Sequence, residues 1–119
     1  MSNSNHHLLY FNIALLVQTL GIPSHMRGFH ILCDAIFLVT QSRHLQESVT
    51  KELYPKLAKH YHTDAACVEH AIRNAISFAH KKSVTPISLL FFAYGRPTNT
   101  DFIIAVADYL YSNHEDLLI

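Results

Sequence analysis

The chain has 119 residues, half of them hydrophobic and 15% charged, with a formal net charge of zero. That is apolar material for one core at the size of one domain, and it excludes a disordered tail. The neutral balance excludes attraction to nucleic acid through bulk charge, so any such function has to rest on a local patch.

Residues 6–20 read as a helix, with Leu8, Phe11, Leu15 and Leu16 recurring at helical spacing and Ser4 or Asn5 available as a cap. Gly21 and the Ile22-Pro23 step end it, because proline disfavours α geometry in the residue before it. This stretch is the most apolar in the chain, yet Asn12 and Gln18 interrupt it and it falls short of the ~20 residues a membrane span needs. The amino terminus, MSNSNHH, has no Lys or Arg to start a signal peptide, so the expected compartment is the cytoplasm.

A second helix is predicted over Arg27–Gln41, with Phe29, Leu32, Cys33, Ile36 and Phe37 facing inward as the centre of a bundle. Glu47–Glu52 reads as a short helical turn. Pro55 then sits well at a first helical position, opening a short helix to about His60. Thr63 offers an N-cap for a longer helix over about Asp64–Lys81. Its stripe of Val68, Ala71, Ile72, Ala75, Ile76 and Ala79 faces a core, and the small Ala71 and Ala75 let a neighbouring helix come close. The opposite face carries Ala66, Glu69, His70, Arg73, Asn74 and Ser77. Residues 83–96, with Pro86, Gly95 and a run of Leu and Phe, read as a buried irregular connection with one helical turn. Tyr54, Phe78, Phe91, Phe92 and Tyr94 are read as core. Thr98 with Asp101 three residues on resembles a capping box for a last helix running to about Asn113. No strand alternation or internal repeat is present, so the class is all-α.

Cys33 and Cys67 lie far apart in apolar helical patterns and form no CxxC pair. That argues against a disulfide framework or zinc site, fits a reducing compartment, and predicts two small buried or half-buried residues. His6-His7 and His60-x-His62 lack a third ligand at metal-binding spacing, so no metal or cofactor is expected. Cys67 and His70 lack an orienting carboxylate and oxyanion donors, so no catalytic residue is assigned and no enzyme is expected.

A short helix, a tight turn at His62-Thr63-Asp64 and a longer second helix form a helix-turn-helix candidate, whose second helix would lie in the major groove of duplex DNA. Residues 51–82 hold six cations (Lys51, Lys56, Lys59, Arg73, Lys81 and Lys82) against three carboxylates. Residues 99–119 hold Asp101, Asp108, Glu115 and Asp116 with no cation. Zero net charge therefore hides a basic middle and an acidic end. This pattern alone does not separate a DNA reader from a bundle with a solvated face.

Three blocks carry a family resemblance. GIPSHMRGFHIL (21–32) followed by DAI (34–36), SVTKELYPKLAKHYHTDAACVEHAIRNAI (48–76) and RPTNTDFIIAVADYL (96–110) occur in order. They resemble the effector domain of the stage-zero sporulation response regulator over about residues 13–114. The resemblance implies a compact bundle of about six helices containing a helix-turn-helix, with residues 1–119 as one effector-like domain. It also implies transcriptional control at short promoter boxes, often bound by two domains in tandem.

The same resemblance implies base contacts from Ala66, Cys67, Glu69, His70, Arg73 and Asn74, while Lys51, Lys59, Lys81 and Lys82 read as phosphate contacts flanking the second helix or else as solubilising charges. The inward residues of the second helix keep the family pattern. Outward, Cys67 and His70 stand where that pattern has arginines, Ala66 where it has serine and Asn74 where it has histidine. Arginine paired bidentately to guanine discriminates against a wrong base by about 1–3 kcal/mol, and His70 cannot reproduce that fork. Site preference is therefore expected to be weakened or changed. The chain is also expected to act without its own phospho-receiver. The alternative is a protein-interaction module that pairs with itself or with a full-length relative, which the neutral charge and missing arginines favour.

Overall fold

The computed structural model describes residues 3–82 and 85–113. Among these residues six α-helices follow in order: α1 Asn3–Thr19, α2 Arg27–Gln41, α3 Tyr54–His60, α4 Ala65–Lys81, α5 Pro86–Phe92 and α6 Asn99–Asn113. A 3-10 segment (Arg43–Glu47) and a π-helical turn (Val49–Leu53) join α2 to α3, where a single short helical turn at Glu47–Glu52 was expected. The all-α bundle agrees with the sequence reading.

Gly21 ends α1 as expected. Its φ of +107° is a conformation that favours glycine, and it lets the Gly21 N–H reach the Gln18 carbonyl while Ile22 N–H reaches Val17. The face that α1 buries differs from expectation. Leu9, Ile13, Leu16, Val17 and Leu20 are buried, whereas Leu8, Phe11 and Leu15 point outward, Phe11 being 60% exposed. Four nearly continuous apolar turns leave the helical period ambiguous, and tertiary packing chooses the face. The helix also starts at Asn3, ahead of the proposed caps Ser4 and Asn5.

The second helix is the centre of the bundle, packing on α1, α4 and α6. Its crossing with α4 is very close. A Cβ placed on Gly28 would lie 2.3 Å from the Ala71 carbonyl oxygen and 3.0 Å from Ala75 Cβ, so the small residues on both helices make the approach possible. Ile31, Leu32, Ile36, Leu57, Ile72, Ile76 and Phe102 are almost fully buried around it. Burying each such side chain contributes about 1.5–3 kcal/mol relative to leaving it in water.

One polar tie runs through this region. The half-buried Asp34 carboxylate on α2 accepts the Tyr10 hydroxyl of α1 at 2.7 Å and the Tyr61 hydroxyl at the end of α3. Burial, aided by the bonds to Asp34, pushes both phenols above the ordinary tyrosine range.

Residues 85–92 correct the reading of an irregular buried connection. Thr85 accepts the Ser88 N–H while the Ser88 hydroxyl faces the Thr85 N–H, and Pro86 occupies the first turn, so α5 forms a capped helix. Phe92 is buried, but Leu89, Leu90 and Tyr94 are exposed, so Tyr94 is not core and Phe78 and Phe91 are only half-buried.

Candidate nucleic-acid interface

The turn between α3 and α4 is built by backbone bonds at the end of α3. Thr63 N–H reaches the Ala58 carbonyl at 2.9 Å, and His62 adopts a left-handed φ of 55°. Histidine tolerates this region better than most residues, though less well than glycine. Asp64, not the expected Thr63, caps α4: its carboxylate accepts the Cys67 N–H at 2.8 Å. That bond, with a smaller contribution from the nearby Arg27 cation, holds the Asp64 carboxyl below its usual range.

From that cap, α4 separates its residues by face as its periodicity predicts. Val68, Ala71, Ile72, Ala75, Ile76 and Ala79 are buried. Ala66, Cys67, His70, Arg73 and Asn74 are exposed and Glu69 is half-buried. All six candidate base-contact residues line one open groove of about 680 Å³ between α4 and the first turn of α2. Cys67 is thus an exposed thiol and not a buried or half-buried one, because it falls on the polar face one turn from the cap. Cys33 is buried, and desolvation pushes its thiol up to about 12.

Arg73 is held in place on this face. Its guanidinium lies 2.8 Å from His70 Nδ1 and 3.4 Å from a Glu69 carboxylate oxygen. This array neutralises part of the surface charge but remains open to solvent, where such pairs hold only a few tenths of a kcal/mol. The guanidinium can therefore exchange its partners for a base edge or a phosphate at small cost.

Two arginines outside the helix-turn-helix flank this face, and the charge count over residues 51–82 missed both. Arg27, exposed at the start of α2, lines the same groove as His70 and Arg73. Arg96 shares a cleft of about 290 Å³ with Arg73, Glu69, Thr98 and Asn99 on the other side. Each is remote in sequence and arrives by tertiary packing. The lysines lie apart from the groove. Lys51 is exposed in the π-helical turn, Lys59 lines a separate groove between α2 and α3, and Lys81 and Lys82 stand at the end of α4. Lys82 also rests over the Phe78 ring at 5.3 Å.

Among the described residues no cluster of three His, Cys, Asp or Glu side chains could hold a metal ion, and no helix is long and apolar enough to cross a membrane. Glu115 and Asp116, half of the acidic end, lie outside the described residues. Residues 13–110 match the family described as sporulation initiation factor Spo0A C terminal.

Proposed function

Because the chain belongs to the family of the sporulation initiation factor Spo0A C-terminal domain, a DNA-binding effector of transcription, we propose that it reads duplex DNA with the outward face of α4. The observation that carries this reading is the gathering of Ala66, Cys67, Glu69, His70, Arg73 and Asn74 on one open surface. Such a face fits the major groove as the second helix of a helix-turn-helix. Arg73 and Asn74 carry the strongest base-edge chemistry, a guanidinium for guanine and an amide for adenine. His70 offers one hydrogen bond and Cys67 no charge, so the preferred site differs from that of a domain with arginines there. Arg27 and Arg96 hold phosphates on either side of α4. Lys51, Lys59, Lys81 and Lys82 supply further phosphate contacts as the duplex passes. The compartment is the cytoplasm.

Selection of bound duplexes from a random library tests this directly. A consensus is expected, with affinity falling steeply as salt rises. Arg73→Ala is expected to weaken binding to the selected site by roughly 1–3 kcal/mol and to relax preference at one or two positions. Folded protein that enriches no sequence and binds no duplex at low salt contradicts the reading.

A second reading is favoured by Leu8, Phe11 and Leu15, exposed at helical spacing along α1. It has the domain pairing with another copy or with a full-length relative, in solution or in tandem on DNA. Light scattering and binding stoichiometry decide it: a monomer that occupies single sites argues against pairing.

A further inference from the structure

The first residue of α6 carries an amide that neither helix capping nor core packing calls for. Asn99 is only 7% exposed. Its Nδ2 donates to the Tyr54 hydroxyl at 3.1 Å and to the Glu69 backbone carbonyl at 3.0 Å, while its buried Oδ1 has no hydrogen-bond partner among the described residues. The start of α6 does not need this side chain, because the Thr98 hydroxyl already accepts the Asp101 N–H at 3.1 Å. An unsatisfied buried acceptor costs stability, and that cost is set here against the two bonds the amide donates.

The two groups joined by Asn99 explain what the amide does. Tyr54 begins α3, at the end of that helix remote from the turn, and Glu69 lies early in α4. The helices already meet at the His62-Thr63-Asp64 turn. They also pack directly on each other, and Asn99 adds a polar tie from the far end of α3 to the body of α4. The carbonyl it holds belongs to Glu69, whose own side chain and that of Arg73, one turn on, are on the outward face. Base readout needs such groups held to within about 0.5 Å, and a directional hydrogen bond constrains sliding between the two packed helices.

We propose that Asn99 is a positioning residue for sequence readout: it sets the angle of α4 on α3, and thereby the placement of Glu69 and Arg73 against base edges, without touching DNA. This rests on the DNA-binding reading of α4. It separates two quantities that phosphate contacts alone would not. Loss of Asn99 lowers discrimination between sites, while binding to arbitrary duplex and its salt dependence stay as they were.

The test compares wild type and Asn99→Leu on the duplex selected by the wild type and on a scrambled duplex, over a range of salt, with thermal melting as control. The variant is expected to stay folded and to melt within a few degrees of wild type, because removing one unpartnered acceptor is set against losing the amide's bonds to the Tyr54 hydroxyl and the Glu69 carbonyl. Its affinity ratio for selected over scrambled duplex is expected to fall about tenfold, with the salt slope on scrambled duplex unchanged. A folded variant that keeps the wild-type ratio overturns the proposal alone. Wild-type protein that binds neither duplex overturns the DNA-binding reading and this proposal with it. Should Asn99→Leu fail to fold, Tyr54→Phe makes the same comparison by removing one of the two groups that orient the amide. A smaller fall in the ratio supports the proposal, and an unchanged ratio overturns it.

Discussion

Arg73 occupies a place that its helical spacing predicted, but its neighbours change what it can do. With His70 at 2.8 Å and Glu69 at 3.4 Å, its charge is partly satisfied within the free protein. Binding a base therefore exchanges partners and does not simply add one. The two thiols separate just as sharply. Cys33 is buried and pushed up to about 12, so almost none of it is thiolate near neutrality, whereas Cys67 stands exposed on the outward face of α4. A maleimide is expected to modify Cys67 in native protein and to reach Cys33 only on unfolding, as mass spectrometry of timed samples would show. Rapid modification of both would mean that the α2 core is open. Ala66, Glu69, His70, Arg73 and Asn74 were legible because a helix alternates its faces with a fixed period, whereas Cys67 joined them only through the family resemblance and was read from its apolar neighbours as buried or half-buried. Arg27, Arg96 and Asn99 were not legible, since spacing along the chain says nothing of what tertiary packing places beside a helix.

At the scale of elements, Arg27–Gln41 matched its predicted bounds, and α4 and α6 came within a residue or two of theirs. All three have one clear apolar stripe or a definite cap. Two elements did not follow their local pattern. The sequence of α1 is apolar on nearly every side, so only its packing in the bundle, against α2, decides that Leu9 and Ile13 are buried. In α5 the Leu and Phe run suggested burial, but Leu89 and Leu90 are on the solvent side of a seven-residue helix. The α2–α4 crossing gives an element-scale prediction. Gly28→Ala would push a methyl group against the backbone oxygen of Ala71, which cannot rotate away. Overpacking of this kind costs about 1–3 kcal/mol, read as a lower melting temperature. It would also shift α4 and weaken DNA binding. A variant as stable as wild type would show that the two helices have slack at this point.

Across the whole molecule, α1, α2 and the end of α3 share the Asp34 carboxylate through Tyr10 and Tyr61. Both phenols titrate higher in the folded state than the ordinary value near 10, so the folded protein holds protons that the unfolded chain releases. Their contribution to stability is complete below about pH 10 and is lost as pH rises beyond it. Denaturant midpoints are expected to begin falling near pH 9, where the Cys33 thiol of the unfolded chain ionises, and to fall faster above about pH 10 as the phenols join it, this second fall being less steep in Tyr10→Phe. A profile flat to pH 11.5 would contradict the tie.

Recognition of DNA by this domain depends on α4 presenting its outward face to a duplex. Modification of Cys67 measures this, because the thiol sits on that face and needs no mutation to report. The maleimide rate at Cys67 is expected to drop at least about tenfold when the selected duplex saturates the protein, and to recover as salt releases the DNA. An unchanged rate at saturation would mean that DNA binds elsewhere and that α4 does not enter the groove.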